Sequence, residues 1–138
     1  MITVLPVPAQ SVARRWQQVA PMLDAALPYA QGRFTLQGIY DDLEDGSKDL
    51  WAFYRGAEII GAVVTVYTDF PALKLCTVLL CGGNDIDEWK DQGLDAIERA
   101  ALRDGCSQIE IVGRPGWRRK CASYDHAGDW LVKNLRAA

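Results

Sequence analysis

The sequence predicts an α/β fold (α+β in its strand order), a mixed central sheet with helices on both faces. Three observations predict it. Between Asp49 and Cys81, three apolar segments are separated by short turns, the pattern of consecutive antiparallel strands. The third segment ends in Gly82-Gly83 and leads into a long amphipathic stretch of helical period. That stretch stops at Asp104-Gly105 and is followed by a further β-branched segment, so a strand–helix–strand crossover closes the pattern. The predicted order is β-α-α-β-β-β-α-β-α-β, with no internal repeat.

Taken in order, Ile2 to Val7 is a short β-branched strand ended by Pro6 and Pro8. Ser11 to Ala26 is a helix, because Val12, Trp16, Val19 and Leu23 recur on one face while Arg14, Arg15, Gln17 and Gln18 take the other. Pro21 is expected to bend or split it. Thr35 caps a second helix through Leu43, whose inner side carries Leu36, Ile39, Tyr40 and Leu43. Asp41 to Lys48 reads as a polar loop. Leu50–Tyr54 and Ile59–Thr68 are strands joined at Arg55-Gly56-Ala57-Glu58, where Gly56 supplies a positive φ. Asp69-Phe70-Pro71 turns the chain into Ala72–Cys81, a very apolar strand expected at the centre of the sheet.

Asn84 is the expected cap of the next helix, with Asp87 as its capping-box partner. The buried face of that helix is Ile86, Trp89, Gly93, Leu94, Ile97, Ala100 and Ala101, and Gly105 ends it in the left-handed region. Gln108–Val112 is a strand. Pro115 opens a short helix through Ser123, and Asp129–Asn134 is a last strand. Trp16, Trp51, Trp89 and Trp130 fall at positions that suit packing.

Composition narrows the class of function. With 138 residues, residues 1–138 read as one domain with room for a core. Hydrophobic residues make up 49% and charged residues 24%, ordinary for a soluble globular protein. A net charge of -3 argues against bulk electrostatic binding to nucleic acid or anionic membrane. The N-terminus lacks a basic region and an apolar core, so no signal peptide is read there, and no apolar run is long enough to span a bilayer. Cys76, Cys81, Cys106 and Cys121 form no C-x-x-C pair, and His126 is the only histidine, so no metal site is expected. Free thiols in the cytoplasm are the reading.

Two stretches carry chemistry. Leu80-Cys81-Gly82-Gly83-Asn84-Asp85 joins an apolar strand to a helix N-terminus, where exposed N–H groups commonly hold phosphate. The same glycines also suit a tight turn with no ligand. The helix dipole favours an anion there by up to about 1–2 kcal/mol. Asp85, Asp87 and Glu88 open this helix, and each like-charge contact opposes a phosphate by on the order of 1 kcal/mol. The second stretch, Arg114 to Lys120, is the densest cluster of positive charge. Arg114, Arg118, Arg119 and Lys120 with Trp117 suit a phosphate, a nucleic-acid strand or an acidic partner, or else a solvated face that balances an acidic protein.

The element order resembles the Gcn5-related N-acetyltransferase (GNAT) superfamily over nearly the whole chain. Leu50 to Gly61 looks like the family's second and third strands, a hairpin leading to an Ile-Gly pair. Ala96 to Cys106 followed by Ile109-Glu110-Ile111 looks like its third helix and fifth strand. More narrowly, Val78-Leu79-Leu80-Cys81-Gly82-Gly83 and Val112-Gly113-Arg114-Pro115-Gly116-Trp117 are similar to small GNAT-like proteins of tailed phages and prophages. The resemblance implies that acetyl-CoA lies in a wedge where the fourth and fifth strands splay. Leu79, Leu80 and Cys81 would then meet its pantetheine with their backbone. Gly82, Gly83, Asn84, Asp85 and Ile86 would offer N–H groups to its pyrophosphate. An amine would attack the thioester directly, and Asp69, Glu110 and Asp125 are the candidates for its general base. Tyr124 is the candidate proton donor to the departing thiolate, with a packed tyrosine as the other reading. Cys81 reads as a buried thiol rather than a nucleophile.

The chain also departs from the family pattern. The family's Arg/Gln-x-x-Gly-x-Gly/Ala loop is not matched, since Gly82 to Trp89 holds no Arg or Gln and no glycine after Gly83. Its fifth-strand Asn and fourth-helix Tyr are unmatched too. Arg119 falls near that Tyr position, and Tyr124 matches an aromatic that follows the helix. Two functions are expected from this. One is a GNAT-like protein of a phage, with weak or lost catalysis and a structural or binding role among protein partners or in a virion. The other is an acetyl-CoA-dependent N-acetyltransferase acting on a primary amine.

Overall fold

In the computed structural model, residues 1–113, 116–128 and 131–135 are described, Arg118 by its backbone alone. Five strands form one sheet, β1 (Ile2–Val7), β2 (Asp49–Arg55), β3 (Glu58–Asp69), β4 (Lys74–Gly83) and β5 (Gln108–Ile111), ordered as they occur in the chain. All neighbours are antiparallel except β4 and β5, which the crossover through α3 (Ile86–Arg103) makes parallel. The first face carries α1 (Val12–Ala26) and α2 (Leu36–Asp45), and the other carries α3.

Strand alternation divides the side chains between two cores. Leu50 and Ala52 of β2 join Val19, Leu23, Ile39 and Leu43 from α1 and α2. Trp51 and Phe53 point the other way, to Trp89, Ile97, Ala100 and Ala101 of α3. Phe53 stacks on Trp89 with ring centroids 4.0 Å apart. Trp16 meets Tyr40 edge-on at 4.8 Å and pins α1 to α2.

Two bulges shape the sheet. Phe53 pairs with Gly61 but Tyr54 with Ile59, so Ile60 is the extra residue on β3. Val64 pairs with Leu80 but Thr65 with Val78, so Leu79 is the extra residue on β4. The second bulge switches faces: Val78 lies in the α3 core and Leu80 in the α1–α2 core, although residues two apart in a regular strand share a face.

Several expectations need correction. Pro21 lies inside α1 without splitting it. The carbonyl that its missing N–H leaves without a helical partner belongs to Gln17, which like Pro21 is exposed, so this part of the helix faces solvent. The second helix runs on to Asp45 and ends at Gly46 (φ 84), taking residues assigned to the polar loop. Gly82-Gly83 is no loop: both residues belong to β4 and pair with Ala62 and Gly61. Asn84 does not cap α3, because Asp85 holds the N-cap position at φ 56 and makes no side-chain cap. The short helix after β5, α4, is a single turn from Trp117 to Lys120, and Pro115 lies outside the described residues. No strand forms over Leu131–Asn134, the described part of the expected last strand. Leu131 is 93% exposed and packs on no core. Trp130 is outside the description.

Candidate functional site

Parallel pairing of β4 with β5 stops early. Leu75 to Val78 pair with Gln108 to Ile111, and the final bond runs from the Val112 N–H to the Val78 carbonyl. From Leu79 to Gly83, β4 remains bonded to β3 but has no β5 partner. The bulge falls at the first residue of this splay, so the sheet opens where β4 twists away. A narrow cleft lies there, lined by Ala26, Tyr29, Leu79, Leu80, Cys81 and, across the splay, Val112, Gly113 and Trp117.

A second cleft, of about 290 Å³, lies under α3 and is lined mostly by apolar groups, among them Phe53, Val63, Leu94 and Ile97. Cys81 and Trp117 line both clefts. Trp117 thus borders both clefts at the splay. It lies so close to Gly113 (φ 150) that a Cβ there would meet its Nε1 at 3.2 Å.

The glycines at the end of β4 have packing reasons of their own. A Cβ on Gly82 would meet the Met22 carbonyl oxygen of α1 at 2.1 Å, and one on Gly83 would meet the Ile60 carbonyl oxygen at 2.4 Å. The next amide is also engaged, since Asn84 N–H donates to the Ile60 carbonyl at 2.8 Å. The Asn84 carbonyl accepts from Trp89 Nε1 at 2.8 Å. The Ile60 bulge thus aims a carbonyl at the amide that would otherwise open a phosphate cradle.

Beyond Asn84, α3 starts with a cluster of ion pairs. Arg55, at the β2–β3 hairpin, donates from Nη1 to Asp85 at 3.1 Å and from Nη2 to Glu88 at 2.6 Å. Lys120 of α4 meets Asp87 at 2.5 Å. Hydrogen bonds to Asp85 and then Glu88 raise the Arg55 pKa, and the Lys120 bond lowers that of Asp87. Three carboxylates at the positive end of the helix are thus answered by two cations. The anion that a helix N-terminus attracts is already supplied by the chain.

The structure places the sequence-predicted residues as follows. Leu80 is buried in the α1–α2 core and, with Leu79 and Cys81, lines the splay. Ile86 is half-buried against the α3 core. Glu110 lies in the paired part of β5, accepts from Thr77 Oγ1 at 2.9 Å, and lines neither cleft. Tyr124 donates to Glu98 of α3 at 2.7 Å and also stays out of both clefts. Burial, then the Glu98 bond, pushes its phenol well above the ordinary value, so it holds its proton. Asp69 and Asp125 are exposed, Asp69 at the far end of β3. In the basic stretch, Lys120 is committed to Asp87, and Arg119 is exposed. Arg114 and the side chain of Arg118 lie outside the description. Burial raises the thiols of Cys76, to about 12, Cys106 and Cys121, which suits buried apolar cysteines and not nucleophiles. Among the described residues no group of three His, Cys, Asp or Glu side chains suits a metal ion.

Sequence reasoning missed three participants: Arg55, Met22 and Trp117 in its role at the splay. No local pattern marks them, because each acts across a long sequence separation.

Solved structures share this fold. A ribosomal-protein-alanine N-acetyltransferase from Brucella melitensis biovar Abortus matches over 100% of both chains, with a TM-score of 0.69 and 14% identity. A predicted acetyltransferase with acetyl-CoA from Clostridium acetobutylicum matches over 98% of this chain and 97% of its own, with a TM-score of 0.68 and 14% identity. A GNAT family acetyltransferase from Staphylococcus aureus matches over 97% and 98%, with a TM-score of 0.67 and 14% identity. No family sequence model matches the chain, and no curated protein matches it by sequence. The fold is that of the GNAT acetyltransferases.

Proposed function

We propose that this chain is a GNAT-fold protein in which acetyl-CoA-dependent acyl transfer is weak or lost, and that it serves as a binding or structural subunit. One observation carries this reading: where the fold would receive a pyrophosphate, the first turn of α3 holds Asp85, Asp87 and Glu88, tied to Arg55 and Lys120. The residues present do not fit the nucleotide end of CoA. The Asn84 amide is spent on Ile60, the glycines are spent on α1 and β3, and a doubly charged ligand would have to displace two cations from their carboxylates. Trp117 stands in the splay as well.

The partner is read from the narrower resemblance, to proteins of tailed phages, which makes a phage particle or its assembly in the host cytoplasm the first place to seek it. Arg114, Arg118 and Arg119, beside a Lys120 already paired with Asp87, make an acidic protein or a nucleic-acid strand the complementary partner. No helix among the described residues is long and apolar enough to cross a membrane.

A second reading keeps the enzyme. It is favoured by the splay itself: β4 still parts from β5 after Val78, with a bulge at Leu79 that leaves backbone groups unpaired by β5. On that reading the chain acetylates a primary amine. Thiol release from acetyl-CoA in the presence of an amine panel separates the two. The first reading expects no rate above the uncatalysed background. Saturable, amine-dependent release, lost on Leu79→Pro, would overturn it.

A further inference from the structure

The two edges of the sheet are finished differently. At β1, the Ile2 carbonyl accepts from Gln92 Nε2 of α3 at 2.8 Å. Pro6, four residues on and so turned to the same edge, has no N–H to offer. Both devices blunt an edge against pairing with another chain. β5 has no proline, and among the described residues no strand pairs with the edge that faces away from β4. A strand-forming segment is left over as well. The sequence marks residues 129–134 as β, yet residues 131–135 form no strand and leave Leu131, Val132 and Leu135 exposed. We infer that residues 131–135 of one copy add as an antiparallel strand to the β5 edge of a second copy, which returns the same contact, so that the protein is a strand-exchanged dimer. The segment does not pair with β5 of its own chain, so that edge is left to the second copy. This assembly goes beyond the reading above and does not depend on whether acetyl-CoA binds.

Side-chain alternation and charge select one register. On β5, Ile109 and Ile111 face the α3 core, so Glu110 and Val112 take the other face, where Val112 lines the cleft at the splay. Glu110 accepts from the Thr77 hydroxyl and has no cation among the described residues, and Lys133 is exposed. Setting Lys133 opposite Glu110 makes an opposite-charge cross-strand pair. Val132 then lies beside Ile111, which is only half-buried, and extends the α3 core. Leu131 falls beside Val112, where Tyr29 is also part-exposed. A slip of one residue would set the Lys133 charge against Ile109 or Ile111 on the α3 side, so the pattern selects against it.

Sedimentation equilibrium of the full chain at micromolar concentration tests the assembly. The expected result is a dimer for the wild type and a folded monomer for Leu131→Asp/Leu135→Asp, since these side chains are exposed and their loss leaves both cores untouched. A monomeric wild type would overturn the inference, as would a dimer that this variant leaves intact. Mixing Glu110→Cys chains with Lys133→Cys chains under dioxygen reads the register, because residues directly opposite in an antiparallel pair lie within disulfide reach. The expected product is a disulfide between the two substituted positions of different chains, identified by mass spectrometry. Its absence would overturn the inference. So would closure of that disulfide within single chains of Glu110→Cys/Lys133→Cys, which would show the strand added to its own β5. Acetyl-CoA binding, which tests the reading above, bears on neither result.

Discussion

At the scale of single residues, charge decides most of what is distinctive here. Asp85 and Glu88 were legible from the sequence as an acidic helix start, but their answer, Arg55, lies thirty residues away in a hairpin. Only the fold brings it there. Asp49 shows the opposite case. Partial desolvation, and then the neighbouring Asp104, raise its carboxyl from the ordinary value, and among the described residues no cation pairs with it. A raised carboxyl pKa means that the folded state binds the proton more tightly than the unfolded one. Stability from this group is therefore greatest below the ordinary value and is lost as pH rises through the folded value. Asp49→Asn is expected to raise the melting temperature at pH 7, with the gain shrinking to nothing below pH 3.8, which thermal melts across that range would reveal. A gain independent of pH would refute the assignment.

The elements were the most legible level. Strand β1 and the apolar faces of α1, α2 and α3 follow from hydrophobic period alone, because each face has a single core to enter. Failures cluster where tertiary contacts outweigh local signals. Asn84 looks like a cap, but the Ile60 bulge takes its amide and Trp89 takes its carbonyl. Gly82-Gly83 looks like a loop, but β3 and α1 approach too closely for a side chain there. This yields a test of what the glycines are for. Glycines kept for a phosphate would accept alanine without loss of stability when no ligand is present. Gly82→Ala puts a Cβ 2.1 Å from the Met22 carbonyl, so it should cost at or above the upper end of the roughly 1–3 kcal/mol typical of overpacking. Urea unfolding measures it, and a neutral result would return these residues to a ligand role.

For the whole molecule, the sequence resemblance and the structure agree on the fold. Five strands and two cores build a frame whose overall path matches that of solved acetyltransferases. What the frame holds is set by long-range contacts that a linear pattern does not display: α4 laid across α3, Trp117 in the splay, and Arg55 and Lys120 on the carboxylates of α3. On the proposed reading, these contacts together close the place where a nucleotide-bearing cofactor would enter.

Calorimetric titration of the purified protein with acetyl-CoA tests that closure most directly. The predicted result is no saturable heat up to about 1 mM ligand, which corresponds to a binding free energy weaker than about 4 kcal/mol. A stoichiometric isotherm with a micromolar dissociation constant, and affinity weakened by charge reversal at Arg55 or Lys120, would show that the α3 terminus receives the pyrophosphate and would contradict the account.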